Sequence, residues 1–462
     1  MPKLASVLDH LDANRTGAVA RLSDFLRIPS ISAQPAHAGD CLRAAEWAAA
    51  ALAGTGFAAE VIPTPGHPVV LAHRAGPGGA PRVLFYGHYD VQPPEPLEPW
   101  TSEPFEPVVV EGVNGPRIVA RGAVDDKGQV SMILEALRAW DAAGGGAPVG
   151  VTVLLEGEEE VGSVNLEAFL RDHRDRLAAD VVVISDTNMW DIDTPAITTR
   201  LRGLLYTQVT VRCAARDLHS GLFGGLALNP LNVLTRVLGD LHDADGRVAI
   251  PGFYDGAREI GAAQAEAWRS LGFDEAAFLG AVGLTAPGGE RGRSGLEKLW
   301  GRPTADINGI WGGYTDTGAK TVIAREGHAK VSFRLVPDQD PQAILAAFEA
   351  FVHARLPAGA TAEIAVFGSG PGFEVPTDSP AVRAARAALA AEYGRPAVLM
   401  GSGGSIPVVE SFRRVLGLDC LLMGFGLDDD QIHGPNEKFD LRCFHHGARA
   451  HARLLAELAG GA

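Results

Sequence analysis

The chain has 462 residues, 46% hydrophobic and 21% charged, proportions of a soluble globular protein long enough for two domains. Its formal net charge of -16 argues against nucleic acid or an anionic membrane as a main partner. Cys41, Cys213, Cys420 and Cys443 are scattered without a CxxC pair, which argues against a disulfide framework or a thiolate metal site.

Residues 1–21 alternate charged and apolar side chains and lack the apolar core of a signal peptide. No run approaches the ~18 apolar residues that a membrane span requires, so a cytoplasmic protein is expected. Leu4, Val7, Leu8, Leu11, Val19, Leu22 and Leu26 have helical spacing and predict a helix over 4–26. Asp40 is the expected cap of a second helix that runs to Leu52 and ends at Gly54 and Gly56. Two or three strands are expected over 59–85, an ordered proline- and acid-rich loop over 92–107, and helix again after Gly128. That alternation is the signature of an α/β domain.

The pattern changes near Leu201. Residues 204–211 alternate as a half-exposed strand, 229–241 read as helix, and the acidic, alanine-rich stretch 254–281 is also expected to be helical. A strand over 322–334, a helix over 341–356 with Asp340 as cap and Pro341 at its first position, and a strand over 362–366 follow. Strands and helices in this order make an α+β module. The organisation expected is a catalytic α/β domain, residues 1–202 and 367–462, interrupted by an inserted α+β domain, residues 203–366.

Three apolar runs end abruptly on metal-ligand chemistry. Val83 to Tyr86 leads into His88 and Asp90, Val151 to Leu155 into Glu156, Glu158, Glu159 and Glu160, and Val181 to Ile184 into Asp186. Buried parallel strands carry their chemistry at their carboxyl ends, so three side by side would gather a histidine and several carboxylates at one rim. That donor set suits zinc or a similar divalent ion. Asp186 alone reads equally well as a solvated turn; the three strand ends together do not. His88 would bind through one ring nitrogen while Asp90 accepts a hydrogen bond from the other and fixes the tautomer. Adjacent carboxylates at 158–160 repel one another unless a cation neutralises them, so one can bind metal while its neighbour takes a proton. His445, His446 and His451 read as a solvated face of the final helix, and Glu158 as pointing away from the metals.

These motifs, with Ala120-Arg121-Gly122-Ala123-Val124-Asp125-Asp126-Lys127-Gly128 and Gln431-Ile432-His433-Gly434-Pro435-Asn436-Glu437-Lys438, resemble those of the dinuclear zinc peptidases. That family includes carnosine dipeptidases, carboxypeptidase G, aminoacylase and the succinyl-diaminopimelate desuccinylases. The dipeptidase branch is the closest match, through Asp217-Leu218-His219-Ser220-Gly221, Phe333-Arg334-Leu335-Val336-Pro337 and Gly403-Gly404-Ser405-Ile406-Pro407. The resemblance implies a central mixed sheet flanked by helices, with a ferredoxin-like insertion serving as lid and dimer interface. It implies two divalent ions, zinc with manganese or cobalt as alternatives. The Asp125 carboxylate would bridge them, its peptide bond to Asp126 being cis in relatives, with His88 and Asp186 on one ion and Glu160 and His433 on the other. Glu159 matches the general base, and His219 a histidine that reaches the partner subunit's active site and stabilises the oxyanion. Arg334 matches the group that holds the substrate carboxylate, with Thr321 and Ser405 as polar contacts around it. The implied activity is hydrolysis of a dipeptide amide next to a free C-terminal carboxylate, by a homodimer. An N-acyl or N-carbamoyl amino acid amidohydrolase is the alternative. A metal-free binding or scaffold relative is a remote one, opposed by the intact ligand set. Three departures bear on substrate: Ser369 and Ser402 stand where dipeptidases usually carry a histidine and an acid, and Asp316 where they commonly have glycine.

Overall fold

The computed structural model describes residues 4–404 and 406–460. The chain divides into two compact units, the first up to Thr199 and again over Val375–Met400 and from Pro407, the second over Arg200–Glu374 with Gly401–Ile406.

The first unit is built on a mixed sheet. Its strands run Ala58–Ile62, Val69–Arg74, Gly150–Glu156, Arg82–His88, Val181–Ile184, Cys420–Leu422 and Ala196–Leu201. Arg82–His88 lies parallel to both of its neighbours, Gly150–Glu156 and Val181–Ile184. These three read as unbroken apolar runs because helices cover both faces, so no polar alternation is possible. The helix Lys127–Ala142 is buried along nearly its whole length. The final helix, Leu441–Gly460, packs against it, and Trp140 Nε1 donates to the Ala452 carbonyl at 3.2 Å. A smaller sheet, Lys438–Asp440, Gly115–Val119 and Val108–Gly112, flanks this layer.

The second unit is a four-stranded antiparallel sheet ordered Thr304–Gly312, Glu326–Leu335, Gly203–Arg212 and Thr361–Gly370. Numbered along the chain that order is 2-3-1-4, the ferredoxin-like arrangement. Glu326–Leu335 alternates residue by residue between half-buried and buried. Its inward Val331 and Phe333 pack with Leu205, Val209, Leu234 and Phe348. Full burial of a side chain such as Phe348 contributes roughly 1.5–3 kcal/mol, enough that this face alone fixes the strand register.

Several expected elements differ. The single helix over 4–26 is two, Leu4–Ala13 and Arg15–Leu26, because Asn14 turns its side chain back onto the His10 carbonyl at 2.8 Å. Asp40 is not the cap of its helix: a short 3₁₀ turn, Pro35–His37, leads directly into Ala38–Ala53, so Asp40 sits in the first turn and pairs with His37 Nδ1 at 2.6 Å. The helical stretch 254–281 reduces to Ala262–Arg269 and Glu275–Gly280, separated at Gly272, whose φ of +66° a helix cannot accommodate. The strand 322–334 is also two: Val322–Ile323 pairs with Leu218–His219, and Glu326–Leu335 joins the main sheet. Asp340 and Pro341 occupy the expected positions at the helix Pro341–His353, Asp340 accepting from Gln342 N at 2.9 Å.

Candidate active site

His88 is the last residue of its strand and pairs in register with Glu156. The chain beyond Glu156 forms a 3₁₀ turn, Glu159–Val161, that carries Glu159 and Glu160. Asp186 follows the third strand by two residues. The close packing that delivers His88 depends on Gly87, where a Cβ would stand 2.6 Å from Val130 Cγ2 and 2.7 Å from Asp126 Oδ2. Asp125 comes from the turn before Lys127–Ala142, and His433 from the loop before Lys438–Asp440. The Asp125–Asp126 peptide bond is cis.

Two donor groups share Asp125: His88 with Asp186, and Glu160 with His433. Asp125 Oδ1 is 3.1 Å from His88 Nε2, and its Oδ2 is 2.9 Å from His433 Nε2. His433 Nε2 is 3.2 Å from Glu160 Oε2, and His88 Nε2 is 3.9 Å from Asp186 Oδ2. Ligands on one tetrahedral ion at ~2.0–2.2 Å stand roughly 3.3–3.6 Å apart; the four separations, from 2.9 to 3.9 Å, bracket that range, so shifts of a few tenths of an ångström would let the two donor groups each hold an ion. His88 Nε2 is buried and has no hydrogen-bond partner among the described residues, as expected of an atom aimed at a cation. Imidazole with carboxylate oxygen is a donor set for first-row divalent metals.

The electrostatics agree with that fit. Burial raises the Glu159 carboxyl to about 8, with Asp186 and Glu160 adding to the rise and His88 opposing it. Asp186 is raised to about 7, by burial first and then by Asp125. Burial would also raise Asp125, but His433 and His88 overcome it and hold Asp125 well below the usual carboxylate range. Asp125 and Glu160 lift His433 to about 10. This many carboxyl groups around two imidazoles is the arrangement a divalent cation neutralises.

Asp90 is placed differently from the expectation that its carboxylate accepts from His88. The nearer partner of His88 Nδ1 is the Asp90 backbone carbonyl, at 3.1 Å, with the carboxylate at 3.4 Å. The carboxylate itself accepts from Glu159 N at 3.3 Å and Glu160 N at 3.1 Å, so the Asp90 backbone carbonyl orients the histidine while its buried side chain holds the glutamate turn. Glu158 turns aside and accepts from Asn165 Nδ2 at 2.8 Å. The histidines of the final helix do not form a solvated face. His451 is buried with Nε2 2.8 Å from Ser185 Oγ, beside Asp186. His446 Nδ1 lies 2.7 Å from Glu392, and His445 Nε2 lies 2.8 Å from Asp12. The sequence carries no signal for these contacts, because the partners are distant along the chain.

In the second unit His219 is exposed and pairs in register with Val322, and Ser220 N donates to the Thr321 carbonyl at 3.0 Å, which brings His219 and Thr321 side by side. The His219 Nδ1 accepts from Gly221 N at 3.0 Å, a tautomer that leaves its Nε2–H as a donor. Arg334 lies on Glu326–Leu335, in register with Leu204. Arg202, half-buried nearby, is depressed to about 10 by desolvation and by the charge of Arg334. Ser369 is exposed on Thr361–Gly370, and Ser402 Oγ accepts from Gly404 N at 3.1 Å. Ser405 lies outside the described residues.

Comparison with known proteins gives a consistent picture. The profile of Peptidase family M20/M25/M40 matches residues 84–457. The Beta-Ala-His dipeptidase of Rattus norvegicus is 31% identical over 404 residues, 86% of this chain and 80% of that protein. Among solved structures, the di-peptidase Dug1p from Saccharomyces cerevisiae has a TM-score of 0.83 at 28% identity, covering 100% of this chain and 99% of the other. The M20 family metallo-carboxypeptidase Sso-CP2 from Sulfolobus solfataricus also has a TM-score of 0.83, at 30% identity, covering 96% of this chain and 99% of the other.

Proposed function

The chain belongs to peptidase family M20/M25/M40, and from that premise we infer that it is a metal-dependent dipeptidase that hydrolyses the amide bond next to a free C-terminal carboxylate. The observation that carries the reading is the Asp125 carboxylate, with one oxygen 3.1 Å from His88 and the other 2.9 Å from His433. His88, Asp125 and Asp186 would hold one ion, and Asp125, Glu160 and His433 the other. Zinc is the ion we assign, with manganese or cobalt as substitutes. When bound, such a pair supplies Lewis acidity, lowering the pKa of water and polarising a carbonyl.

The remaining steps belong to side chains. Glu159 takes the proton of the attacking water and returns it to the leaving amine. Its burial and its acidic neighbours, which raise its proton affinity, support that role. His219, donating through Nε2, stabilises the oxyanion from the partner subunit of a homodimer. Arg334 holds the substrate carboxylate by a charge-assisted contact, with Thr321 and Ser405 beside it. The inserted domain serves as lid and dimer interface, and the protein works in the cytoplasm on small peptides. No helix among the described residues is long and apolar enough to cross a membrane.

A second reading, an N-acyl or N-carbamoyl amino acid amidohydrolase, draws support from Ser369 and Ser402, neutral where dipeptidases usually carry titratable groups. One screen tests both: chelator-treated protein is given zinc, manganese or cobalt and offered a dipeptide library beside matched N-acetylated amino acids. Cleavage of free dipeptides, lost on chelation and restored by metal, is expected. Full activity in protein verified free of divalent metal overturns the mechanism, and cleavage confined to acylated substrates moves the assignment to the second reading.

A further inference from the structure

The two loops that deliver Asp125 and His433 come from opposite ends of the chain and are joined by a buried ion pair. Glu437 is fully buried. Its Oε2 accepts from Arg121 Nη1 at 2.8 Å and from Gly122 N at 2.8 Å. Its Oε1 accepts from Val124 N at 3.0 Å and from Asp125 N at 3.1 Å. The Glu437 carbonyl accepts from Ala120 N at 3.1 Å. In the other direction, Arg121 Nη2 donates to the His433 carbonyl at 3.1 Å and to the Pro93 carbonyl at 3.3 Å. The His433 loop needs such support: Gln431, His433 and Asn436 have φ of 55°, 61° and 61°, a region that residues other than glycine rarely occupy. Strained backbone of this kind persists only where its surroundings over-determine it.

We propose that Arg121 and Glu437 are positioning residues, a clamp that sets the bridging carboxylate of Asp125 and the imidazole of His433 at their working separation in advance of metal. Neither touches the reacting atoms. Glu437 acts on Asp125 through backbone amides, and Arg121 acts on His433 through its carbonyl, so one ion pair governs ligands of both donor groups. The clamp rests on the metal-centre reading above, and its test is read from metal affinity and amide exchange rather than from peptide cleavage.

The experiment measures zinc dissociation constants by chelator competition for the wild type, Glu437→Gln, Arg121→Lys and a control, Glu290→Gln. The control breaks a buried ion pair of the second unit, in which Arg302 Nε and Nη2 reach Glu290 at 2.6 and 3.0 Å. Glu437→Gln places an amide N–H₂ against N–H donors and is expected to weaken zinc binding by about 10- to 100-fold, the usual effect of removing a partner that orients ligands. Arg121→Lys is expected to weaken it in the same direction by a smaller factor, and Glu290→Gln to leave it within about twofold of the wild type. Hydrogen exchange of the wild type keeps the test decisive if a variant does not fold. The amides of Gly122, Val124 and Asp125 are expected to be protected in chelated protein as well as in loaded protein. Unchanged zinc affinity in the clamp variants, an equal loss in the control, or protection that appears only after metal is added would each overturn the proposal.

Discussion

Glu159→Gln separates chemistry from stability. The variant keeps the size and shape of the side chain and removes the proton transfer between water and leaving amine proposed for it, an expected loss of at least ~10²-fold in kcat. Its effect on the protein has the opposite sign. In the metal-free protein, burial raises the folded-state pKa of Glu159 from 4.5 to about 8. A carboxyl raised in this way costs nothing below its unfolded value, because both states hold the proton. Above that value the unfolded chain releases the proton and the folded one does not, and each pH unit up to about 8 adds ~1.4 kcal/mol of destabilisation. At pH 7 the cost is roughly 3 kcal/mol, from which the imperfect hydrogen bonding of a buried amide subtracts, leaving an expected gain of about 1–3 kcal/mol on substitution. The assay pairs kcat on a dipeptide and metal content of the purified variant with denaturant unfolding of chelated protein at pH 5 and pH 8. The variant should be inactive, loaded with metal, and more stable than wild type at pH 8, with little difference at pH 5. A kcat within tenfold of wild type, or a chelated variant less stable than wild type at pH 8, would refute the assignment of Glu159 as a buried base. Glu160→Gln should do the reverse, losing metal because it removes a carboxylate 3.2 Å from His433.

Asp125→Ala removes the carboxylate shared by both donor groups, so metal analysis should find one or both ions gone and activity absent. Glu392 answers to pH: burial opposes its ionisation, but His446, Arg449 and Arg453 hold its pKa down to about 2. The resulting stabilisation is fully present above about pH 4.5 and lost as pH falls through 2, so Glu392→Gln should cost roughly 2–3 kcal/mol at pH 6, after discounting for solvent at the rim, and only a small fraction of that at pH 2; a constant gap across that range would exclude the linkage. Mixed dimers of His219→Ala and Glu159→Gln subunits should regain one working site if His219 acts across the interface, and verified subunit exchange without recovered activity would place it outside that role. Ser402→Glu should shift kcat/KM toward dipeptides with a free amine over their N-acetylated counterparts. If the wild type already rejects the acetylated substrate by about 10³-fold, equivalent to ~4 kcal/mol, another group recognises the amine.

The residues legible in the sequence are those whose position follows from one local rule. His88, Glu159, Glu160 and Asp186 stand at the ends of apolar runs, and parallel pairing of those runs puts all four at one rim. Asp125 and His433 obey no such rule; they sit in turns, and only the resemblance of their motifs assigned them a role. The contacts that aim these side chains were not legible at all. Ser185 and His451 are 266 residues apart, and Arg121 and Glu437 are 316 apart, so no window of sequence holds both partners. The final helix shows the physical reason. Its polar positions carry the same residues whether they face water or face Glu392 and Asp12 on other elements. Periodicity reports that a face is polar, not what neutralises it. A buried polar group must find its partner somewhere, and the partner is chosen by the packing of the whole fold. Asp90 is the instructive case: its motif suggests one histidine to orient, while the fold brings two glutamate amides to the same carboxylate. The rim that gathers the strand-end donors is therefore a local property of this chain, and the aim of each side chain a global one. The substitutions most informative about the site lie one contact behind the proposed metal ligands, where the sequence is silent and the hydrogen bonds are specific.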